Sequence, residues 1–337
     1  MTGQVTGKVT GRVTGAATST RERRWRPVAS LDVALTLSPH RHGGGDPIWR
    51  RTPDGAIWRT SRTPDGPGTL RITAAAGEVL GQAWGPGAEW LLDTLPSLLG
   101  ADDDVSAFAD TLARAAASGD ARTARTVALV GELASRHPGL RVGRTLRVFE
   151  ALVPAVLEQK VVGREAWRAW RWLLRKYGEA APGPAPEGMI VIPPPEVWCR
   201  IPSWEWHRAG AEAVRARTII NAGSHAAKLE ATVTSPAGGF AEADRLLRAL
   251  PGIGVWTSAE VRQRSHGDPD APSVGDFHLS GLVGYALTGQ KVDDAAMLEL
   301  LEPFRGQRHR VTWLIALSGR RPPSRGPRMP VRDYRSF

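Results

Sequence analysis

The spacing of apolar residues in the first third of the chain predicts strands. Every second residue from 31 to 37 is apolar, which is typical of a half-buried strand. Thr-Pro-Asp-Gly occurs at 52–55 and again at 63–66, and proline followed by glycine favours tight turns. The segment 56–60 between these turns predicts a short strand, and the pattern over 87–99 predicts a helix. Together these features predict a small antiparallel sheet with one helix.

The spacing becomes helical in the rest of the chain. Residues 148–156 place apolar side chains on one face at i, i+4 spacing, and 163–178 carry a second apolar stripe. A proline-rich loop at 181–195 follows. Further helices are predicted at 205–234, 239–249, 255–264, 276–288, 293–304 and 308–318. We interpret the tryptophans of this part as packing residues: Trp167, Trp170, Trp198, Trp204 and Trp206.

These patterns predict an α+β fold class and a division of the chain. A small N-terminal antiparallel sheet with a helix occupies residues 26–105, and a mainly α-helical domain occupies 106–320. Residues 1–25 repeat Val-Thr-Gly with a period of four, which predicts a disordered basic tail. Residues 321–337 are predicted to be a second basic tail.

The charge is concentrated at the two ends of the chain. The net charge is +10, of which residues 1–26 and 319–337 carry +5 each, so residues 27–318 are neutral. Within this neutral part, 89–135 hold eight acids and three bases, whereas 141–217 hold thirteen bases and eight acids. The basic segment indicates a surface that faces nucleic acid. An ordinary solvated helical surface is the alternative.

Composition excludes several classes of protein. With 42% hydrophobic and 23% charged residues the chain is typical of globular proteins, and it holds no apolar run of membrane-span length. Its first residues lack the apolar core of a secretory signal, so a cytoplasmic location is expected. The single cysteine, Cys199, excludes an intramolecular disulfide and a four-cysteine zinc site. His40 and His42 lie in a glycine-rich loop without companions, so no metal site is expected.

The segment 239–278 contains a hairpin motif. Pro251-Gly252-Ile253-Gly254 separates a helix that ends at Leu250 from one that begins near Val255, which places a helical hairpin at 250–255. The backbone N–H groups after such a turn lie at a helix N-terminus, where they favour a phosphate. An ordinary turn between helices with a glycine cap is the alternative.

A carboxylate follows this hairpin at a defined distance. Asp276 lies twenty-two residues after Gly254 and opens an apolar helix. From its position alone, Asp276 can be the N-cap of the helix that follows.

Together these motifs resemble the helix-hairpin-helix DNA glycosylase superfamily. Leu-Pro-Gly-Ile-Gly-x-Trp-Thr at 250–257, followed by Asp276, is most similar to the 3-methyladenine DNA glycosylase II branch, which acts in alkylation repair. The stretch 157–161 resembles the Leu-x-Gln segment of that branch, and 308–317 resembles its late helix. The resemblance covers roughly residues 28–320 and includes the N-terminal α/β domain.

The resemblance implies a base-excision repair enzyme. Such an enzyme flips a damaged base out of double-stranded DNA and hydrolyses its N-glycosidic bond, and this branch implies alkylated purines of the 3-methyladenine type. Asp276 would be catalytic, and Trp256 and Gln159 would line the base pocket. The implied DNA contacts are Gly252, Ile253, Gly254, Thr257, Lys160 and His278. A monomer acting on damaged duplex DNA in the nucleoid is expected, without a cofactor, although the resemblance allows a monovalent cation at the hairpin backbone.

Two positions depart from the superfamily pattern. Arg245 occupies the position, six residues before the hairpin proline, at which bifunctional members have a nucleophilic lysine. Arginine stays protonated, so a monofunctional hydrolase is implied. Lys160 or the adjacent Val161 occupies the place of the apolar wedge that fills the gap left by the flipped base.

Two alternatives remain open at the level of sequence. One is an oxidised- or deaminated-purine glycosylase on the same fold, since Arg245 argues only against a lyase. The other is a non-catalytic helix-hairpin-helix DNA-binding protein, which would not need a carboxylate at Asp276.

Overall fold

An antiparallel sheet forms the N-terminal part of the protein. The computed structural model describes residues 20–117, 120–234 and 239–323. The sheet has five strands in the order β1-β5-β4-β3-β2. These strands are β1 (Arg21–Trp25), β2 (Trp49–Arg51), β3 (Ile57–Thr63), β4 (Gly66–Ala75) and β5 (Glu78–Trp84). Most of the later described residues are helical, so the predicted α+β fold class is confirmed.

Both Thr-Pro-Asp-Gly segments form turns of the sheet. The first joins β2 to β3, and the second joins β3 to β4, where Thr63 pairs with Gly66. Gly55 and Gly66 have φ angles of +83° and +119°, which glycine adopts without steric cost. The predicted strand at 56–60 is present and continues to Thr63.

The segment 31–37 is helical, so the predicted strand is wrong. Helix α1 (Val33–Leu37) begins after Asp32, whose carboxylate accepts a hydrogen bond from the Leu35 backbone N–H at 2.9 Å. Val33 and Leu37 are one helical turn apart, so a helix also presents these apolar residues on one face. Leu37 is 1% exposed against the sheet. The aspartate cap favours the helix over the strand.

Residues 21–25 form a strand, so the predicted disordered tail is wrong for this segment. Strand β1 pairs with β5 along its whole length, from Arg21 opposite Ala83 to Trp25 opposite Val79. Its arginines also find carboxylate partners, which the local composition does not reveal; the pairs are Arg21–Glu89, Arg23–Asp93 and Arg24–Glu78. The remainder of the two predicted tails, residues 1–19 and 324–337, lies outside the described residues.

Two short helices cover one face of the sheet. They are α2 (Ala88–Asp93) and α3 (Leu95–Leu98), which lie where a single helix is predicted over 87–99. Pro96 has no N–H to continue the hydrogen-bond ladder, so the helix is interrupted near Thr94. Leucines from both helices pack on the apolar side chains of the central strands.

The rest of the described chain is a set of helices with one small ribbon. The ribbon pairs β6 (Glu179–Ala180) with β7 (Ile190–Val191). The helices are α4 (Val105–Ala116), α5 (Ala121–Arg136), α6 (Val148–Leu157), α7 (Gly163–Tyr177), α8 (Pro195–Arg200), α9 (Ser203–Ala209), α10 (Ala213–Ser224), α11 (Ala226–Glu230), α12 (Gly239–Arg248), α13 (Val255–Ser265), α14 (Leu279–Thr288), α15 (Asp294–Leu301) and α16 (Arg308–Leu317).

The helices bury two apolar cores. Every residue of α6 is buried, and α6 packs among α7, α10 and α13 in the larger core. The smaller core joins α4 and α5 to α14, α15 and α16. Helix α13, which begins at the hairpin, packs against α6 and so holds the hairpin on the larger core.

The buried tryptophans lie mainly in the larger core. Trp170, Trp198 and Trp206 are at most 1% exposed, which confirms their packing role. Trp204 is 62% exposed, so the packing role predicted for it is wrong. Within the described residues, every helix is too short or too polar to cross a lipid bilayer. In the same ranges, no three side chains of His, Cys, Asp or Glu lie close enough together to hold a metal ion.

Candidate functional site

The hairpin between α12 and α13 depends on glycine at its first position. Gly252 has a φ angle of +87°, in the left-handed region. A Cβ added there would also collide with the Thr218 hydroxyl on α10. The turn closes with a hydrogen bond from the Ile253 N–H to the Leu250 carbonyl oxygen at 3.1 Å. Gly252 is therefore required by the protein's own packing.

Gly254 differs from Gly252 because nothing in the described chain requires a glycine there. Its φ angle is −94°, which any residue adopts, and a Cβ added there would meet no atom within 4 Å. Gly254 is the N-cap of α13 and offers no side chain to cap the helix. The first N–H groups of a helix have no intrahelical acceptor. The surface at Gly254 thus presents free N–H groups and the positive end of a helix dipole, which suits an anion.

Two of the implied DNA contacts have buried side chains. Ile253 is 5% exposed and belongs to the larger core, and Thr257 is 2% exposed. Apolar packing and an internal hydrogen bond hold these side chains inside, so neither of them faces an outside ligand. For Ile253 and Thr257, a contact with DNA therefore stays a prediction only for the backbone groups. Both side chains fix the hairpin to the body of the protein.

Gln159 connects the hairpin to the turn that follows α6. Its amide nitrogen donates to the Gly252 carbonyl oxygen at 2.9 Å and to the Thr257 hydroxyl at 2.8 Å. Sequence similarity implied a place for Gln159 in the base pocket. The structure shows both amide hydrogens directed to the hairpin, so Gln159 positions that element.

Lys160 lies at the exposed apex of the same turn. Its φ angle is +53°, an unusual conformation for a residue with a side chain. Arg215, which is 3% exposed, donates to the carbonyl oxygens of Leu157 and Gln159 at 3.3 Å each. Sequence reasoning missed Arg215, and no local motif could have revealed it, because its partners are 56 and 58 residues away. This buried arginine therefore supports the turn that carries Lys160.

Asp276 approaches the hairpin through Trp256. One carboxylate oxygen, Oδ1, accepts hydrogen bonds from the backbone N–H groups of His278 at 2.8 Å and Leu279 at 2.9 Å, so Asp276 caps α14. The other oxygen, Oδ2, lies 3.4 Å from the indole nitrogen of Trp256 on the first turn of α13. Both side chains are partly exposed. The structure therefore brings together the two residues on which the predicted chemistry depends.

The loop that carries Asp276 is anchored to neighbouring helices. Gln263 on α13 donates to the Ala271 carbonyl oxygen at 2.6 Å and to the Ser273 hydroxyl at 2.9 Å. Arg308 on α16 forms a two-pronged ion pair with Asp270 at 2.7 and 2.8 Å. These contacts fix the position of a carboxylate that the chain places in a loop.

Phe277 is an exposed aromatic residue beside Asp276. Its side chain is 82% exposed and lies edge-on to the ring of His278, with 4.9 Å between ring centroids. The helix predicted at 276–288 includes Phe277 but gives it no role at the site. An aromatic residue directly after the candidate carboxylate was the signal that could have identified it. His278 is exposed as well, so its predicted contact with DNA is sterically open.

Arg245 lies on the exposed surface of α12. Its guanidinium donates to both carboxylate oxygens of Glu242, at 2.6 and 2.7 Å. These hydrogen bonds raise the pKa of Arg245 further above its ordinary value. A guanidinium held in this way stays charged and is a poor nucleophile.

Comparisons with known proteins find relatives of this chain by sequence and by fold. A scan of protein-family models finds none that matches this chain. The chain is 31% identical over 236 residues to the probable bifunctional transcriptional activator/DNA repair enzyme AlkA of two Mycobacterium tuberculosis strains. The match includes 67% of this chain but 43% of the relative, so this chain spans less than half the length of those proteins.

Solved structures resemble the fold over most of its length. The 3-methyladenine DNA-glycosylase of Archaeoglobus fulgidus superposes with a TM-score of 0.68 at 16% identity, over 87% of this chain and 97% of that one. An 8-oxoguanine glycosylase/lyase of Clostridium acetobutylicum gives 0.64 at 13% identity, over 89% and 99%. Both likenesses are ones of fold.

The fold and the site define a class of protein: an α+β molecule in which a glycine hairpin and a nearby aspartate share one surface. The similarity in sequence to a probable DNA repair enzyme points to the same class. In fold and in sequence, the chain resembles the helix-hairpin-helix DNA glycosylase superfamily.

Proposed function

We propose that the protein is a monofunctional DNA glycosylase that removes alkylated purines of the 3-methyladenine type from double-stranded DNA. The observation that carries this proposal is the pairing of Asp276 with Trp256 on the first turn behind the hairpin. The fold it shares with DNA glycosylases supports the same class of activity.

The hairpin supplies the grip on the DNA backbone. The free N–H groups at Gly254 and at the start of α13 bind a phosphate, and no side chain blocks its approach. This grip needs no net positive charge, which agrees with the neutral composition of residues 27–318. It holds the duplex next to Asp276.

Asp276 and Trp256 act on the nucleotide that leaves the duplex. The glycosidic bond of a stacked base is out of reach, so the nucleotide rotates out first. The indole of Trp256 offers an electron-rich face to a cationic alkylpurine. As the bond lengthens, positive charge develops on the sugar, and the Asp276 carboxylate stabilises that charge and orients the attacking water. Cap hydrogen bonds at Oδ1 leave Oδ2 turned toward Trp256.

A second candidate is the removal of oxidised purines. The resemblance in fold to an 8-oxoguanine glycosylase/lyase favours it. The lyase step of such enzymes requires an amine, and Arg245 occupies the relevant position here. Hydrolysis of alkylated purines needs only the carboxylate, so it remains the better-supported proposal.

The Asp276→Asn variant tests the role of the carboxylate. Asparagine caps a helix about as well as aspartate, so the fold should be retained while the charge is lost. We expect single-turnover base release to slow by about 10²–10³-fold or more, with DNA affinity within a few-fold of the wild type. The assay uses duplexes that each carry one alkylated or one oxidised purine.

Asp293→Asn is the matched control. Asp293 caps α15 by accepting a hydrogen bond from the Ala296 N–H at 2.9 Å, and it is exposed. This variant loses the same charge at the same kind of position. It should keep full activity, because the Asp293 carboxylate is not the one that lies beside Trp256. Full activity in Asp276→Asn would remove Asp276 from the mechanism. Release of 8-oxoguanine alone would favour the second candidate.

Borohydride trapping tests the monofunctional part of the proposal. With Arg245 in place of an amine, we expect no covalent protein–DNA adduct when the protein and a damaged duplex are treated with sodium borohydride. Abasic sites should accumulate uncut. A known bifunctional glycosylase serves as the positive control. An adduct would show that another amine performs lyase chemistry, and its disappearance in Lys160→Gln would identify the exposed Lys160.

A further inference from the structure

Helix α7 carries a row of arginines along one face. Arg164, Arg168, Arg171 and Arg175 are spaced at intervals of four, three and four residues, which places them on the same side of the helix. The opposite side packs into the larger core through Trp170, Leu173 and Leu174, each at most 1% exposed. The arginine side faces outward.

The glycine-rich loop at 43–45 borders this arginine face. Gly43 has a φ angle of +74°, and the indole of Trp167 packs directly against it, so a side chain at this position would collide with the ring. Arg171 donates to the Gly44 carbonyl oxygen at 3.0 Å. The loop and the helix together form an open groove of about 530 Å³ lined by Gly44, Arg164, Trp167, Arg168 and Arg171. A second groove of about 370 Å³ continues it toward the end of α7.

Three of the four arginines on this face, as far as the described residues go, lack the carboxylate partners that accompany other arginines of this protein. Arg262 and Arg308 pair with Asp268 and Asp270. In the part of the chain that the structure describes, by contrast, Arg164, Arg171 and Arg175 form no ion pair. Like charges at i, i+3 and i+4 destabilise a helix. A row of this kind is costly for the free protein and suits a bound polyanion.

The arginine face is connected to the candidate site. At its start, the Trp167 indole nitrogen donates to the carboxylate of Glu158 at 3.1 Å. Gln159, the residue after Glu158, donates hydrogen bonds to the hairpin, and Lys160 forms the exposed apex of the same turn. The row therefore begins beside the turn that faces the damaged nucleotide and leads away from it.

We propose that the arginine face of α7 is a second duplex-binding surface, which contacts phosphates of the DNA flank on one side of the damaged nucleotide. This inference rests on the proposed function. Arg164 and Arg175 are eleven positions apart, which is about 16 Å of helix at 1.5 Å per residue. That length corresponds to about five base pairs at 3.4 Å each. The planar guanidinium binds phosphate oxygens in a two-pronged geometry.

The salt dependence of binding to undamaged duplex DNA tests this surface. The triple variant Arg164→Gln, Arg171→Gln, Arg175→Gln removes three charges from the face. The control triple variant removes three exposed arginines from α4 and α5, namely Arg114, Arg122 and Arg125. Both variants lose the same net charge from helical positions. Thermal unfolding of each variant first establishes that the fold is retained.

We expect the slope of log affinity against log salt to flatten by about 0.9 for each phosphate that the α7 variant no longer neutralises, and so by about 2–3 in total. The control variant should keep the wild-type slope within about 0.5. Equal slopes in the two variants would overturn the proposal.

Shortening one flank of the duplex locates the surface relative to the damaged nucleotide. On a duplex with a central abasic site, removal of one flank should weaken wild-type binding, whereas removal of the other should not. The α7 variant should respond equally to both truncations. Equal effects of both truncations on the wild type would contradict the proposal. Binding to undamaged DNA does not depend on excision, so failure of the Asp276 experiment would leave this test intact.

Discussion

At the scale of single residues, Asp276 combines two roles that the sequence could present only as alternatives. One carboxylate oxygen caps α14, and the other lies near the Trp256 indole nitrogen at 3.4 Å. The cap fixes the rotation of the side chain, since two backbone N–H groups hold Oδ1. The direction of Oδ2 follows from that constraint. A helix cap therefore orients the proposed catalytic group.

The two hairpin glycines should respond differently to substitution. Gly254→Ala introduces a Cβ into open space at an ordinary φ angle, so the free energy of unfolding should stay within about 1 kcal/mol of the wild type. DNA binding should weaken at least several-fold, because the added methyl group lies where a phosphate would approach the backbone. Denaturant unfolding and DNA titration measure the two effects.

Gly252→Ala provides the contrast. Its φ angle of +87° and its contact with Thr218 should reduce the free energy of unfolding by about 1–3 kcal/mol. If Gly254→Ala bound DNA as tightly as the wild type, the proposed approach of a phosphate to this backbone would be wrong.

At the scale of elements, long-range side-chain contacts hold the site together. Gln159 joins the α6–α7 turn to the hairpin, and Arg215 supports the same turn from α10. Gln263 fixes the loop that leads to Asp276. The hairpin, the turn and the loop come from separate parts of the sequence. Their relative positions therefore depend on side chains that no local motif identifies.

His266 at the end of α13 makes the stability of this arrangement depend on pH. Its ring nitrogens lie 2.8 and 2.9 Å from the hydroxyls of Ser265 and Thr232. Burial lowers the pKa of His266 to about 4, with Arg262 and Arg144 acting in the same direction. In the unfolded chain a histidine has a pKa of about 6.5. The unfolded state thus binds more protons between these values, so stability is lost as the pH falls through this window.

The variant His266→Gln should reduce that dependence. By pH 4, protonation of His266 in the unfolded chain should lower the free energy of unfolding by about 3 kcal/mol. Unfolding by denaturant between pH 7 and pH 4 should therefore show a flatter profile for His266→Gln than for the wild type. His207→Gln, at an exposed histidine on α9, is the control and should keep the wild-type profile. Identical profiles for all three proteins would contradict the buried neutral state of His266.

At the scale of the whole molecule, the basic charge is divided differently from the sequence prediction. Residues 1–26 carry a net charge of +5. Three of their arginines, Arg21, Arg23 and Arg24, belong to β1 and pair with carboxylates. The ends outside the described residues, 1–19 and 324–337, carry +2 and +3. A truncation designed to remove only the ends must therefore spare the edge strand. Within the neutral remainder, the arginine face of α7 concentrates positive charge.

Local sequence determined the parts of the fold and site in which neighbours along the chain decide the outcome. The two turns with Gly55 and Gly66, and the hairpin at 250–255, follow from the freedom of glycine and the restriction of proline. The distance of Asp276 from that hairpin made it the candidate carboxylate, and its catalytic role stays a prediction. The α+β fold class followed from the change in apolar spacing near residue 106.

Only the tertiary structure decided which side chains face outward and which groups meet. Ile253 and Thr257 are buried because the hairpin packs on α6 and α10, whereas the apolar Phe277 is exposed. Residues 21–25 form a strand because β5 and the carboxylates beside it supply partners. These partners lie more than fifty residues away, so the local composition does not reveal them. Burial and pairing between distant segments depend on how the whole chain packs, so spacing along the sequence carries no record of them.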